Sequence, residues 1–189
     1  MNIQGPVSDW PSVSGLLTGT MGGSGSNPNP AADRPSASSS PPEESATGVR
    51  GYVLVVEDNE ADVFLIQEAI VAKKLPMTLH VVRDGEQAMR YFDEADGDVS
   101  APCPALVILD INLPKKQGSE VLKHMRQSRR CANALVIAVS TSDSARDREQ
   151  MMELGVNGYF HKPSEYAAFM KLGDVVKALL AGGTPENRE

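Results

Sequence analysis

Leu106–Val107–Ile108–Leu109–Asp110 is a run of four apolar side chains that ends in a carboxylate. A short apolar run without alternation is the pattern of a strand buried on both faces, as in a parallel sheet covered by helices. Open α/β sheets place their chemistry at the carboxyl ends of strands, so Asp110 is the first candidate functional residue. Two further runs end in the same manner. Tyr52–Val53–Leu54–Val55–Val56 leads into Glu57 and Asp58, and Gly158–Tyr159–Phe160–His161 leads into Lys162 and Pro163. Three acids and one lysine at strand ends make a set able to hold a divalent metal ion and a phosphoryl group.

The segments between these runs alternate with them. Asn59–Glu60–Ala61–Asp62 opens a helix with Val63, Ile66, Ala69 and Ile70 on one face, closed by Leu75–Pro76. Met77–Val82 reads as a strand, and Asp84–Gly85 turns into a short helix carrying Ala88, Met89 and Phe92. A polar, proline-containing loop runs from Asp93 to Pro104. Helices are expected over Ser119–Arg126, Ala145–Leu154 and Ser164–Leu180, with Leu135–Ser140 as a further strand and Gly155 as a helix stop. Five strands and five helices in about 130 residues make one domain of ordinary size. Strict alternation implies α/β architecture: a doubly wound five-stranded parallel sheet with helices on both faces, of flavodoxin-like type. No internal repeat is visible.

The 189-residue chain has 41% apolar residues and a formal charge of −7. Neither part of it is basic, which argues against a nucleic-acid partner. No apolar stretch approaches the roughly 20 residues that cross a bilayer, so no membrane association is expected. Asp9 and Pro11 interrupt the N-terminus, which lacks the pattern of a secretory signal. A cytoplasmic location follows as the default. Cys103 and Cys131 are far apart in sequence and form no CxxC pair, so they are expected as two separate thiols in a reducing compartment.

Residues 1–49 are rich in Ser, Gly and Pro and are expected to be a disordered extension, with the folded domain spanning 50–181 and a frayed tail at 182–189. Within the extension Trp10, Val13, Leu16 and Leu17 are candidates for a short partner-binding segment, against the simpler readings of a mis-called start or an inert tail.

Four separated features now stand together: "VVEDN" after the first strand, "LDINLPKKQG" after the third, "AVSTS" after the fourth and "YFHKP" after the fifth. Residues 51–181 resemble the receiver domain of two-component response regulators. "DINLPKKQG" and the proline-bearing loop before it are most similar to the small single-domain regulators paired with bacterial phytochrome kinases. The resemblance implies that Asp110 accepts a phosphoryl group from a kinase phosphohistidine. It implies Mg²⁺ held by Asp58, Asp110 and the backbone carbonyl of Asn112, with Glu57 acting through a bound water. Lys162 and Ser140 would contact the phosphoryl oxygens, and Ser140 with Tyr159 would form the switch. It implies a cis Lys162–Pro163 bond. The partners it implies are a sensor histidine kinase, phytochrome-type in the narrower likeness, or a histidine phosphotransferase, and a homodimer through the last helix. With no room for a DNA-binding domain after residue 181, output is expected through protein contacts rather than as an enzyme.

Gln117 departs from the acid more common in the family, and Ser140 from the commoner threonine, whose hydroxyl it keeps. Two other functions compete. A phosphorylation-independent scaffold would not need the chemical groups that this chain retains. An aspartyl-phosphate-type phosphatase would place an acid two residues after the nucleophile, where Asn112 stands. His80, His124 and His161 have no metal-ligand spacing. Lys115–Lys116 and Arg129–Arg130 read as solvated charges, with docking to an acidic kinase surface as the alternative.

Overall fold

The computed structural model describes residues 51–182. The expectations for residues 1–49, Trp10 among them, and for the tail from residue 183 lie outside these residues.

Five strands form one parallel sheet: β1 (Tyr52–Val56), β2 (Thr78–Val82), β3 (Leu106–Asp110), β4 (Leu135–Ser140) and β5 (Gly158–His161). Their order is β2-β1-β3-β4-β5. The connecting helices are α1 (Glu60–Ala72), α2 (Gly85–Gly97), α3 (Gly118–Gln127) and α4 (Ala145–Glu153). The fifth helical stretch comes as two segments, α5 (Tyr166–Phe169) and α6 (Leu172–Leu180).

The apolar runs lack alternation because both sheet faces are covered. Leu54, Val56, Val107, Leu109, Val136 and Ala138 belong to one core with Phe92 of α2, Leu122 of α3 and Met151 of α4. Their neighbours along the strands, Val53, Val55, Leu106, Ile108, Ile137 and Val139, form the other core with Ile66 and Ile70 of α1, Phe169 of α5 and Val176 of α6. Period-2 geometry thus sorts each strand between two helical layers. β2 is the exception: it alternates exposed with half-buried residues up to Val82, as an edge strand does.

The helix expected over Ser164–Leu180 is modified at its middle. Lys171 N–H donates to the Ala168 carbonyl, and Gly173 and Asp174 N–H to those of Met170 and Lys171, each a three-residue step that tightens the turn. The turn lets α6 lie close on α1, where a Cβ on Gly173 would come within 2.3 Å of the Ala69 carbonyl oxygen.

The cysteine expectation is corrected. Cys103 and Cys131 form a disulfide, with Cα atoms 5.3 Å apart. Leu106 and Leu135 are paired in register, so the loops entering β3 and β4 run side by side. That adjacency, invisible in a separation of 28 residues, brings the sulfurs together.

The paired basic residues also differ from freely solvated charges. Arg130 donates to the carbonyls of Ala95, Asp98 and Val99, and the Arg129 and Arg130 backbone N–H groups donate to Asp96. They tie the end of α2 to the loop after α3. Lys115, with φ of 67°, turns back to place its ammonium 2.7 Å from Asp84, the buried N-cap of α2.

Candidate functional site

The sheet register assembles the site. Val56 pairs with Leu109, which sets Glu57 beside Asp110 at the ends of β1 and β3. Asp110 in turn pairs with Val139, and Ser140 pairs with His161, so Lys162 follows at the same edge. β1 and β3 flank the point where the strand order reverses, the customary ligand crevice of such sheets.

Asn59 caps α1, its side chain accepting from Ala61 N–H at 2.9 Å. The capping role is therefore filled without Asp58, which stands exposed at the site's rim. One carboxylate oxygen from each of Glu57, Asp58 and Asp110 lies within 4.8 Å of the others. Such a hard oxygen set suits a small divalent cation.

Lys162 is buried among acids. Its ammonium donates to Asp110 Oδ2 at 2.6 Å, Glu57 Oε2 at 2.7 Å and Asp62 Oδ2 at 2.9 Å. Burial opposes the charged form, but the hydrogen bonds to Asp110, Glu57 and Asp62 outweigh it and hold the lysine above its ordinary pKa. The Glu57 carboxyl is pushed up to about 7, first by burial and further by the Asp110 charge, against the pull of Lys162. Asp110 Oδ1 accepts from Asn112 N–H at 2.8 Å, so both of its oxygens are held.

Asp62 was read in sequence only as part of a helix start. Its usable signal was position: an acid in the first turn of the helix that follows a strand end bearing two acids. Every peptide bond among the described residues is trans, which corrects the cis form implied for Lys162–Pro163.

Ser140 is buried and its Oγ accepts from Ser142 N–H at 3.0 Å. Tyr159 is half-buried, its hydroxyl donates to the Ser142 carbonyl at 3.4 Å, and the Arg148 guanidinium lies 5.6 Å from its ring centre. Both side chains meet the same residue of the loop between β4 and α4. The histidines do not join the Glu57, Asp58 and Asp110 group: His124 pairs with Asp93 and His161 with Asp143, while the His80 ring lies 5.6 Å from Tyr91.

A family model for the response regulator receiver domain matches residues 53–172. The chain belongs to that family. Response regulator Rcp1 of Synechocystis sp. is 34% identical to the receiver domain over 120 residues, 64% of this chain and 82% of that protein. Among solved structures, the phosphorylated cyanobacterial phytochrome response regulator RcpA matches with a TM-score of 0.63 and 32% identity, over 70% of this chain and 94% of that one. The Mn²⁺-bound form of Rcp1 matches with a TM-score of 0.62 and 31% identity, over 74% and 97%. The receiver domain therefore has the flavodoxin-like fold read from its sequence, and it is a signalling module rather than a member of a catalytic enzyme family. Among the described residues, no helix is long and apolar enough to cross a membrane.

Proposed function

We propose that Asp110 is the phosphoacceptor of this response regulator, and that a sensor histidine kinase or a histidine phosphotransferase supplies the phosphoryl group. The observation that carries the proposal is Lys162 bridging Glu57 and Asp110, with Asp58 beside them. An Asp110 carboxylate oxygen attacks phosphorus, the P–N bond of the phosphohistidine breaks, and an acyl phosphate and a free imidazole result. Lys162 faces the incoming oxygens as a point charge, and the held oxygens of Asp110 fix the line of attack. Glu57, Asp58, Asp110 and the backbone carbonyl of Asn112 would hold a divalent ion, Mg²⁺ in the cell. When bound, it supplies charge neutralisation between the acids and the phosphoryl oxygens. The phosphorylated RcpA and Mn²⁺-bound Rcp1 structures support this reading.

Ser140 and Tyr159 form the proposed switch. A Ser140 hydroxyl drawn toward phosphoryl oxygens gives up the Ser142 N–H, and the loop that also anchors Tyr159 is released. The domain then catalyses only its own phosphorylation and dephosphorylation, and its output is a changed protein surface. The phytochrome names of its relatives favour a kinase of phytochrome type. The last helical stretch, where Tyr166 stands exposed, is the proposed homodimer surface; light scattering before and after phosphorylation checks it. The formal charge of −7 supports a reading without a nucleic-acid partner.

The test is intact mass after incubation with acetyl phosphate, with and without Mg²⁺, beside Asp110→Asn. One added phosphoryl mass that needs both Mg²⁺ and Asp110 supports the proposal. Persistent labelling of Asp110→Asn would sink it.

A further inference from the structure

Lys162 has three N–H donors, and three carboxylates accept them. Two of these, Glu57 and Asp110, belong to the group whose oxygens converge within 4.8 Å. The third, Asp62, does not. It projects from the first turn of α1, is 20% exposed at its side chain, and reaches Lys162 from outside the group.

We infer that Asp62 is a positioning residue: it draws part of the Lys162 ammonium away from Glu57 and Asp110, leaving their oxygens for a cation. The inference rests on the reading of Glu57, Asp58 and Asp110 as cation ligands. Two effects act in the same direction. With the Asp62 carboxylate in place, Lys162 divides its hydrogen bonds among three acceptors, and its positive charge is offset on the side facing α1. Without the Asp62 carboxylate, the ammonium settles on Glu57 and Asp110 and repels an incoming cation more strongly. Asp62 thus acts through Lys162 and not by ligation, as an outer partner that orients and tunes a metal site.

The chemistry of the phosphoryl step gives this contact a second use. Once Asp110 carries the phosphoryl group as an acyl phosphate, its charge moves onto the phosphoryl oxygens and Lys162 must follow it. Asp62 stays chemically unchanged through the step and remains a fixed acceptor on α1.

Calorimetric titration of the full chain with MnCl₂ tests the inference in four proteins: wild type, Asp62→Asn, Lys162→Ala and the double variant. Asp62→Asn is expected to weaken cation binding roughly tenfold with Lys162 present, the lower end of the range for outer partners of metal ligands. In the Lys162→Ala background the same change is expected to alter binding less than about twofold. Lys162→Gln replaces Lys162→Ala if the latter does not fold, as judged by circular dichroism. Equal weakening in both backgrounds would overturn the inference, because Asp62 would then act on the cation directly. Unchanged binding of Asp62→Asn would overturn it as well. A wild-type protein that binds no Mn²⁺ would instead overturn the underlying reading of the three acids.

Discussion

A Cβ on Gly118 would stand 2.3 Å from the carbonyl oxygen of Asp110. The first residue of α3 therefore lies directly on the end of β3, and Gly118 N–H closes the loop by donating to the Ile111 carbonyl at 2.9 Å. No flexible side chain can yield there, since the atoms in the way are backbone. Gly118→Ala is expected to destabilise the fold by about 1–3 kcal/mol, as overpacking does, and to slow phosphoryl acceptance by shifting Asp110. Gly97→Ala is the contrast, because nothing lies within 4 Å of its added Cβ and α2 gains a better helix former. Urea unfolding and initial rates with acetyl phosphate compare the two.

Asp84 supplies the pH prediction. Burial opposes its ionisation, but hydrogen bonds from Lys115 and Gln87 outweigh that and hold its carboxyl below the ordinary value of 3.8. A carboxyl depressed in the folded state stabilises above its unfolded pKa, and that contribution disappears as pH falls through the folded value. Acidification from about pH 5 to about pH 3 should therefore cost Asp84→Asn less stability than it costs wild type. Thermal midpoints across that range measure the difference, and parallel profiles would contradict it.

The Cys103–Cys131 bond closes a loop with a separation of 28 residues. Chain-entropy arguments give such a closure about 3–4 kcal/mol of stabilisation. Reduction, or Cys103→Ala with Cys131→Ala, should lower the urea midpoint accordingly. Two titratable thiols in the unreduced native protein, with no response to reductant, would be the contrary result.

Ser140→Ala removes the acceptor of the Ser142 N–H while leaving Asp110, Glu57 and Lys162 in place. Phosphorylation should still occur, at a rate reduced by roughly 100-fold for one lost donor to the phosphoryl oxygens. The amide resonances of Ser142 and Tyr159 should then shift little on phosphorylation. Shifts as large as those of wild type would separate Tyr159 from the switch.

What could be read from the sequence follows from what a local pattern encodes. Unbroken apolar runs at Val53–Val56 and Leu106–Leu109 carry the signature of double burial, and both faces are indeed covered. Residues at strand ends need only the register of a parallel sheet to meet, so Glu57, Asp58, Asp110 and Lys162 could be foreseen together. Contacts that depend on how elements dock could not. Asp62 reaches Lys162 across 100 residues, and Arg130 reaches the carbonyl of Ala95 across 35. Cys103 and Cys131 meet only because β3 and β4 are neighbours in the sheet. The tightened turn at Met170–Lys171 has no composition cue, since it answers to the close approach of Gly173 and Ala69.

The most direct measurement of the central claim is chemical trapping of the phosphorylated residue. Borohydride reduces an aspartyl phosphate to homoserine, and peptide mass spectrometry then reads its position. Homoserine at residue 110, formed only after phosphorylation in the presence of Mg²⁺, is the predicted result. Homoserine elsewhere, or none in protein that carries a phosphoryl mass, would contradict the account.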